Sequence, residues 1–323
     1  MMTQHCPSTS IILLSYNRPV FLKAALGSLV NQTYQNLDIT VVDNPSPASA
    51  EIAEIVGRYH GVELIRNPVN RGFAGGMNRG IESAVGHYIY LTEDDIVLER
   101  DCIFRLVEHM EANPSAGLIS PIMYNNTEGT IRCAGGEFSL RGIYLRRTHG
   151  AGERDAGQFP RPFDVTYIDG ATVFARTDFL RRLAGFREEF FMYVEAVELC
   201  ARVGKAGRKL TVVPGAKVYH FEPPDETCSA PALEFHKLKN LYSLYLLHAP
   251  TRHLPEFFCR YVLLAALRSA FGKGVDIRTL LKAVRWVAGR TPSLLKERRK
   301  YAPSRFDSLD EVYAGNRVSP KIT

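Results

Sequence analysis

Glu93, Asp94 and Asp95 are three consecutive carboxylates directly after the apolar run His87-Tyr88-Ile89-Tyr90-Leu91 and Thr92. Like charges this close repel one another and cost stability unless something positive sits among them. Oxygen-rich clusters suit Mg²⁺ or Mn²⁺, which are held by one or two carboxylates plus substrate phosphates. The alternative is an acidic turn in which Asp95 caps a following helix. Asp43 ends a second apolar run, Asp38-Ile39-Thr40-Val41-Val42. An acid there can accept hydrogen bonds from a nucleotide base or ribose, or form an Asx turn ahead of Pro45.

Three further groups could carry chemistry. Asn70 to Gly80 is glycine-rich and holds Arg71 and Arg79. Glycine allows close backbone approach and arginine matches phosphate geometry, although the spacing fits neither a P-loop nor a dinucleotide fingerprint. A tight strand-to-helix turn is the plainer explanation. Glu195 and Glu198 are three apart in a predicted helix over 190–206, so they share a face, as a general base or as solvated carboxylates. His220 ends an apolar run and is a metal ligand or a structural histidine.

The elements that must position these groups alternate. Ser10-Ile11-Ile12-Leu13-Leu14 is a continuous apolar run, as a buried parallel strand is, and Pro19 opens a helix of period 3.6. Strands at 38–42, 62–65 and 87–91 follow, with helices at 49–59 and after Gly72. Strands alternating with helices give a mostly parallel sheet, and such sheets bind ligands beyond the carboxyl ends of their strands. Asp43 and Glu93–Asp95 both fall there. Residues 100–180 mix a helix (102–112) with short strands near 117–123, 130–134 and 142–146, then a strand–break–strand over 165–176. Strands at 210–214 and 217–220 close the α/β part. Beyond Pro224 the pattern is helical, at 233–247, 255–271 and 277–288.

Composition narrows the class. The chain has 323 residues, 46% hydrophobic and 23% charged, which fits a globular protein and excludes a disordered one. No apolar run reaches the ~20 residues of a membrane span, and the first ten residues do not read as a signal peptide. Six scattered cysteines fit reduced thiols in a cytoplasmic protein. Residues 225–323 hold 17 Lys and Arg against 9 Asp and Glu, a net +8, whereas the first 224 carry −2. The basic part is a solvated surface or meets something anionic. Apolar helices with basic flanks, as at 255–268 and Lys296–Lys300, can lie on an anionic membrane, although packing against the catalytic part or a partner subunit accounts for them equally. Diffuse charge without a recognition motif argues against a nucleic-acid binder.

Taken in order, these stretches resemble the family 2 glycosyltransferases, in particular their rhamnosyltransferase-like branch. The matching motifs run from Ile12-Leu13-Leu14-Ser15-Tyr16-Asn17-Arg18, through Val41-Val42-Asp43-Asn44, Asn70-Arg71-Gly72-Phe73-Ala74-Gly75-Gly76-Met77-Asn78-Arg79-Gly80 and Glu93-Asp94-Asp95, to Asp169-Gly170-Ala171. They end with Glu195, Glu198-Leu199-Cys200-Ala201-Arg202 and Lys217-Val218-Tyr219-His220, covering about residues 10–222. The resemblance implies an α/β fold of GT-A type over residues 1–224 with a helical extension over 225–323. It implies inverting, metal-dependent transfer of a sugar from a nucleotide-diphosphate-sugar donor to a hydroxyl acceptor, in cell-surface polysaccharide or glycolipid synthesis.

On this resemblance Ser15, Asn17, Arg18, Asp43, Arg71, Gly72, Asn78 and Asp94 bind the donor. Glu93, Asp95 and His220 hold Mg²⁺ or Mn²⁺, and Asp169 and Gly170 face the acceptor and sugar. The acceptor is a carbohydrate or lipid-linked glycan. A cytoplasmic protein follows, with room for peripheral contact at the inner face of the plasma membrane and for a homo-oligomer. One position departs from the family: the usual base, an aspartate, is Ala196. Three readings stand: Glu195 or Glu198 takes the proton, with Glu195 preferred; the protein binds sugar nucleotides as an impaired enzyme or scaffold; or the alanine is an engineered change.

Overall fold

All seven residues of β1 (Thr9–Ser15) are buried, because the strand lies inside the sheet with helices over its faces. The computed structural model describes residues 6–126, 129–140, 145–221, 230–271 and 274–301. After β1 come α1 (Pro19–Val30), β2 (Leu37–Asp43), α2 (Ser49–Gly57), β3 (Val62–Arg66), α3 (Gly72–Ser83) and β4 (Tyr88–Glu93). Strands β3, β2, β1 and β4 pair in that order, all parallel. Register places Asp43 opposite Ser15 and Glu93 opposite Leu14. The carboxyl ends of β1, β2 and β4 therefore form one edge carrying the predicted acids.

Gly76 and Gly80 serve packing. A side chain on Gly80 would bring its Cβ 2.0 Å from Ile12 Cγ2, and one on Gly76 would come 2.4 Å from Leu14 Cδ1. The bare face of α3 thus lies directly on β1.

The chain continues through β5 (Ile96–Leu98), α4 (Cys102–Ala112), β6 (Ala116–Asn125), β7 (Ile131–Cys133), β8 (Gly136–Ser139), β9 (Leu145–Thr148), β10 (Phe163–Val165), β11 (Thr172–Arg176), α5 (Thr177–Arg182), α6 (Glu195–Lys205) and β12 (Lys209–His220). β11 runs antiparallel between β4 and β6, and β12 runs parallel to β6. The two strands expected at 210–214 and 217–220 are one strand, with an irregularity at Val213–Lys217 where Pro214 and Gly215 interrupt the ladder. Since β5 follows Asp95 directly, a helix-capping role for that residue is excluded.

The helix expected from 190 begins only at Glu195. Residues 188–190 form one 3₁₀ turn, and Phe191, Tyr193 and Val194 take left-handed φ values of 64°, 66° and 69°. Each such residue costs on the order of 1–3 kcal/mol unless its surroundings hold it.

The extension supplies α7 (Ala230–His248), α8 (Leu254–Phe258), α9 (Leu264–Ala270), α10 (Ile277–Ala288) and α11 (Thr291–Arg298), with a π-helical turn at Cys259–Leu263 joining α8 to α9. Tyr242, Tyr245, Leu280 and Leu294 belong to the same buried cluster as β1 and β4. No helix among the described residues is long and apolar enough to cross a membrane.

Candidate active site

Antiparallel pairing of β5 with β12 sets His220 opposite Ile96, next to Asp95. The amide of Phe221 donates to the Asp95 carbonyl at 2.8 Å, fixing the two turns together. Asp95 is 2% exposed. Its Oδ2 accepts from Arg18 Nη1 at 2.5 Å. Its Oδ1 accepts no hydrogen bond and lies 3.6 Å from His220 Nε2. A buried carboxylate oxygen facing an imidazole nitrogen is a donor pair suited to a divalent cation. Among the described residues, no group of three His, Cys, Asp or Glu side chains that could hold a metal is formed. The pair fits a cation whose other positions go to phosphate or water. Desolvation, then the Asp95 charge, raises Glu93 well above the usual carboxylate range.

Asp94 does a different job. Its Oδ2 accepts from Ser15 Oγ at 2.8 Å and from the Tyr16 amide at 3.1 Å. Asp94 and Ser15 thus tie the end of β1 to the end of β4. Asn17 follows, exposed and at φ 58°, so the chain turns sharply and directs Arg18 back to Asp95.

Asp43 is fully buried and accepts from Arg66 Nε at 3.0 Å and Ser49 Oγ at 3.2 Å. Asn44 anchors the loop beyond it, donating to Gly72 O at 3.0 Å and accepting from Asn67 Nδ2 at 2.9 Å. Arg71 leaves this loop to pair with both oxygens of Glu188, at 2.7 and 2.8 Å. Asn78 accepts from the Phe186 amide and donates to its carbonyl, both at 2.8 Å. Arg71 and Asn78 thereby join α3 to the segment before the strained turn. Gly72, at φ 66°, lies against the Phe191 carbonyl of that turn. A cleft of about 750 Å³ opens beside Asn78 and Glu188, but Asp43, Asp95, Glu195 and His220 do not line it.

The two candidate bases occupy opposite environments despite sharing a helix face. Glu198 is 0% exposed. It accepts from Arg202 Nε at 2.8 Å and stands 2.9 Å from His248 Nε2. Burial would raise its carboxyl, but Arg202 and His248 outweigh that and hold it down to about 2. Burial holds His248 down to about 4, so the ring is neutral at pH 7 and donates from Nε2. Glu198 is thus held in a buried ion pair with Arg202, beside His248.

Glu195 is the first residue of α6, buried, with an Oε2 that has no hydrogen-bond partner. Burial pushes its carboxyl up to about 7; its own amide opposes this and the Asp169 charge adds to it. Asp169 also raises Glu93, so its field links the base candidate to the acidic turn. Asp169 Oδ1 accepts from the Ala171 amide at 3.0 Å. Gly170 is buried beside Phe73 and Ala196; a Cβ there would lie 3.1 Å from that of Ala196.

The strained turn before Glu195 is held by two residues of α7 that sequence reasoning missed. Asn240 Nδ2 lies 2.7–2.8 Å from the carbonyls of Phe190, Met192 and Tyr193. Lys239 is 2% exposed, donates to the carbonyls of Glu189 and Phe190, and sits 4.6 Å over the Trp286 ring. Their one signal in the sequence is a polar pair inside the apolar run Leu238 to Leu247.

This sheet, in the order β10-β12-β6-β11-β4-β1-β2-β3 with acids at the carboxyl ends of β2 and β4, has the GT-A fold. Two solved structures share it. One is GalNAc-T7 with UDP, GalNAc and Mn²⁺, at TM-score 0.64 and 15% identity over 90% of this chain and 59% of that one. The other is a mannosyltransferase from Pyrobaculum calidifontis with GDP-mannose and Mn²⁺, at TM-score 0.54 and 14% identity over 97% and 88%. The model of glycosyl transferase family 2 matches residues 10–180, and the chain belongs to that family. It is similar to the Mycobacterium tuberculosis pre-mycofactocin glycosyltransferase, 27% identical over 58% of this chain, spanning 38% of that protein's length. It is also similar to the N-acetylglucosaminyl-diphospho-decaprenol L-rhamnosyltransferase of the same species, 25% identical over 66% of this chain and 75% of the relative.

Proposed function

We propose that this glycosyltransferase transfers a sugar from a nucleotide-diphosphate donor to a hydroxyl acceptor with inversion, using Glu195 as base. The observation that carries the reading is the buried Glu195 carboxyl, raised to about 7, with a free Oε2 and Asp169 close by. A general base works best when its pKa lies near the working pH. On this reading Glu195 does the work that Ala196 cannot.

The donor lies along the carboxyl edge of β1, β2 and β4. Asp43 takes the base or ribose, and Arg18 keeps Asp95 oriented. Asp95 and His220 would hold a divalent cation, which when bound stabilises the charge that develops on the departing diphosphate. Glu195 removes the acceptor proton as that oxygen attacks the anomeric carbon, and the bond to the diphosphate breaks on the opposite face. Glu198 holds α6 in place. Supported by the rhamnosyltransferase relative, we take the acceptor to be a carbohydrate or lipid-linked glycan, met on the cytoplasmic side of the membrane. A thermal-shift screen of UDP-, GDP- and dTDP-sugars with and without Mn²⁺ tests donor binding. A donor that stabilises the fold more with Mn²⁺ supports the reading. No response to any donor opposes it.

A further inference from the structure

The helix from Leu254 to Ala270 shows solvent one ordered side. Arg260 and Leu263 in the π-helical turn, Leu264, Leu267 and Arg268 in α9, and Phe271 at its C-cap make one exposed stripe. Its apolar members are 48%, 51%, 56% and 79% exposed. Single exposed apolar residues are ordinary, but four in register form a contiguous patch. The reverse side is firmly seated: Phe257 stacks on Tyr245 at 3.8 Å between ring centroids, and Tyr242 Oη donates to the Tyr261 carbonyl at 2.7 Å. The neighbouring α10 exposes Ile277 and Leu281 in the same manner.

We infer that this stripe is a docking face for an anionic lipid surface. Charge selects that occupant. Residues 254–300 hold 11 Lys and Arg and 3 Asp and Glu. One of the acids, Glu256, is already paired with Arg260 at 3.1 Å. A second copy of the chain would oppose one basic face with another, whereas an anionic bilayer satisfies both the leucines and the arginines. The helix then lies in the interface plane with Leu263, Leu264, Leu267 and Phe271 among the acyl chains. The inference is independent of which sugar or base the enzyme uses.

Flotation of the full chain with phosphatidylcholine vesicles, with and without about 30% phosphatidylglycerol, tests it. The chain is expected to float only with the anionic vesicles, and less as salt rises. The exposed triple substitution Leu264→Ser, Leu267→Ser and Phe271→Ser keeps the melting curve and loses at least about tenfold in vesicle binding. Arg268→Ala loses about fivefold. Failure to float with anionic vesicles overturns the inference, as does unchanged binding by the triple variant. A wild-type dimer in light scattering that the triple variant abolishes assigns the face to a second copy and likewise overturns it.

Discussion

His220 Nε2 stands 3.6 Å from Asp95 Oδ1, an oxygen buried without a hydrogen bond. The two are 125 residues apart and meet because β12 returns beside β5. On the proposed reading, removing either of these two groups should raise the metal requirement sharply. Turnover is expected to stop with a chelator and return with Mn²⁺. His220→Ala and Asp95→Asn should each need at least about tenfold more Mn²⁺ for half-maximal rate. Titration of the rate against Mn²⁺ checks this.

As the proposed base, Glu195 should set the pH profile. Its carboxyl is raised to about 7 by burial and by Asp169, against Lys239 and Arg146. As base it must be ionised, so the rate should climb as pH rises through about 7. Stability runs the other way: the folded state binds this proton more tightly than the unfolded chain. The group's contribution is therefore present below its ordinary value of 4.5 and lost as pH rises toward 7. Rate and denaturant melts across pH 5–8 read the two effects separately.

Glu198 has the opposite sign. Held down to about 2 by Arg202 and His248, it stabilises the fold above its ordinary 4.5 and loses that contribution as pH falls toward 2. Glu198→Gln leaves Arg202 buried without its counter-charge and should cost about 3–5 kcal/mol. Urea unfolding measures it.

Asn240 should act on activity through Glu195. Without its amide, the carbonyls of Phe190, Met192 and Tyr193 lose the donor that holds three left-handed residues in place. A shift of about 1 Å in a catalytic group can cost about 100-fold in rate. Asn240→Ala is expected to lose that much in kcat with donor affinity kept. Steady-state kinetics and donor titration distinguish this from general damage.

Gly80→Ala places a methyl on Ile12. Overpacking of this kind should cost about 1–3 kcal/mol, read as a lower Tm.

The strands and the acid-bearing edge were legible because β1, β2 and β4 are continuous apolar runs that end in polar residues. What is local in sequence was readable. The start of α6 was not: Phe190 to Val194 carry helical spacing, and the residue that unwinds them, Asn240, lies 45 or more positions away. Glu195 and Glu198 look alike for the same reason. Their difference comes first from Arg202, one turn further along α6, and then from His248, 50 residues further on. Gly76 and Gly80 suggested phosphate approach, whereas their neighbours are Leu14 and Ile12. The bonds from Ser15 and Tyr16 to Asp94 were not legible either, because their partners lie 79 and 78 positions apart.

Release of nucleoside diphosphate from a panel of nucleotide sugars, measured for the wild type and Glu195→Gln with Mn²⁺ present, tests the central claim most directly. The account predicts that at least one donor is cleaved by the wild type. It predicts that Glu195→Gln binds that donor equally well and cleaves it at least about 100-fold more slowly. Cleavage by Glu195→Gln at the wild-type rate, or a wild type that binds donors and cleaves none, would contradict it.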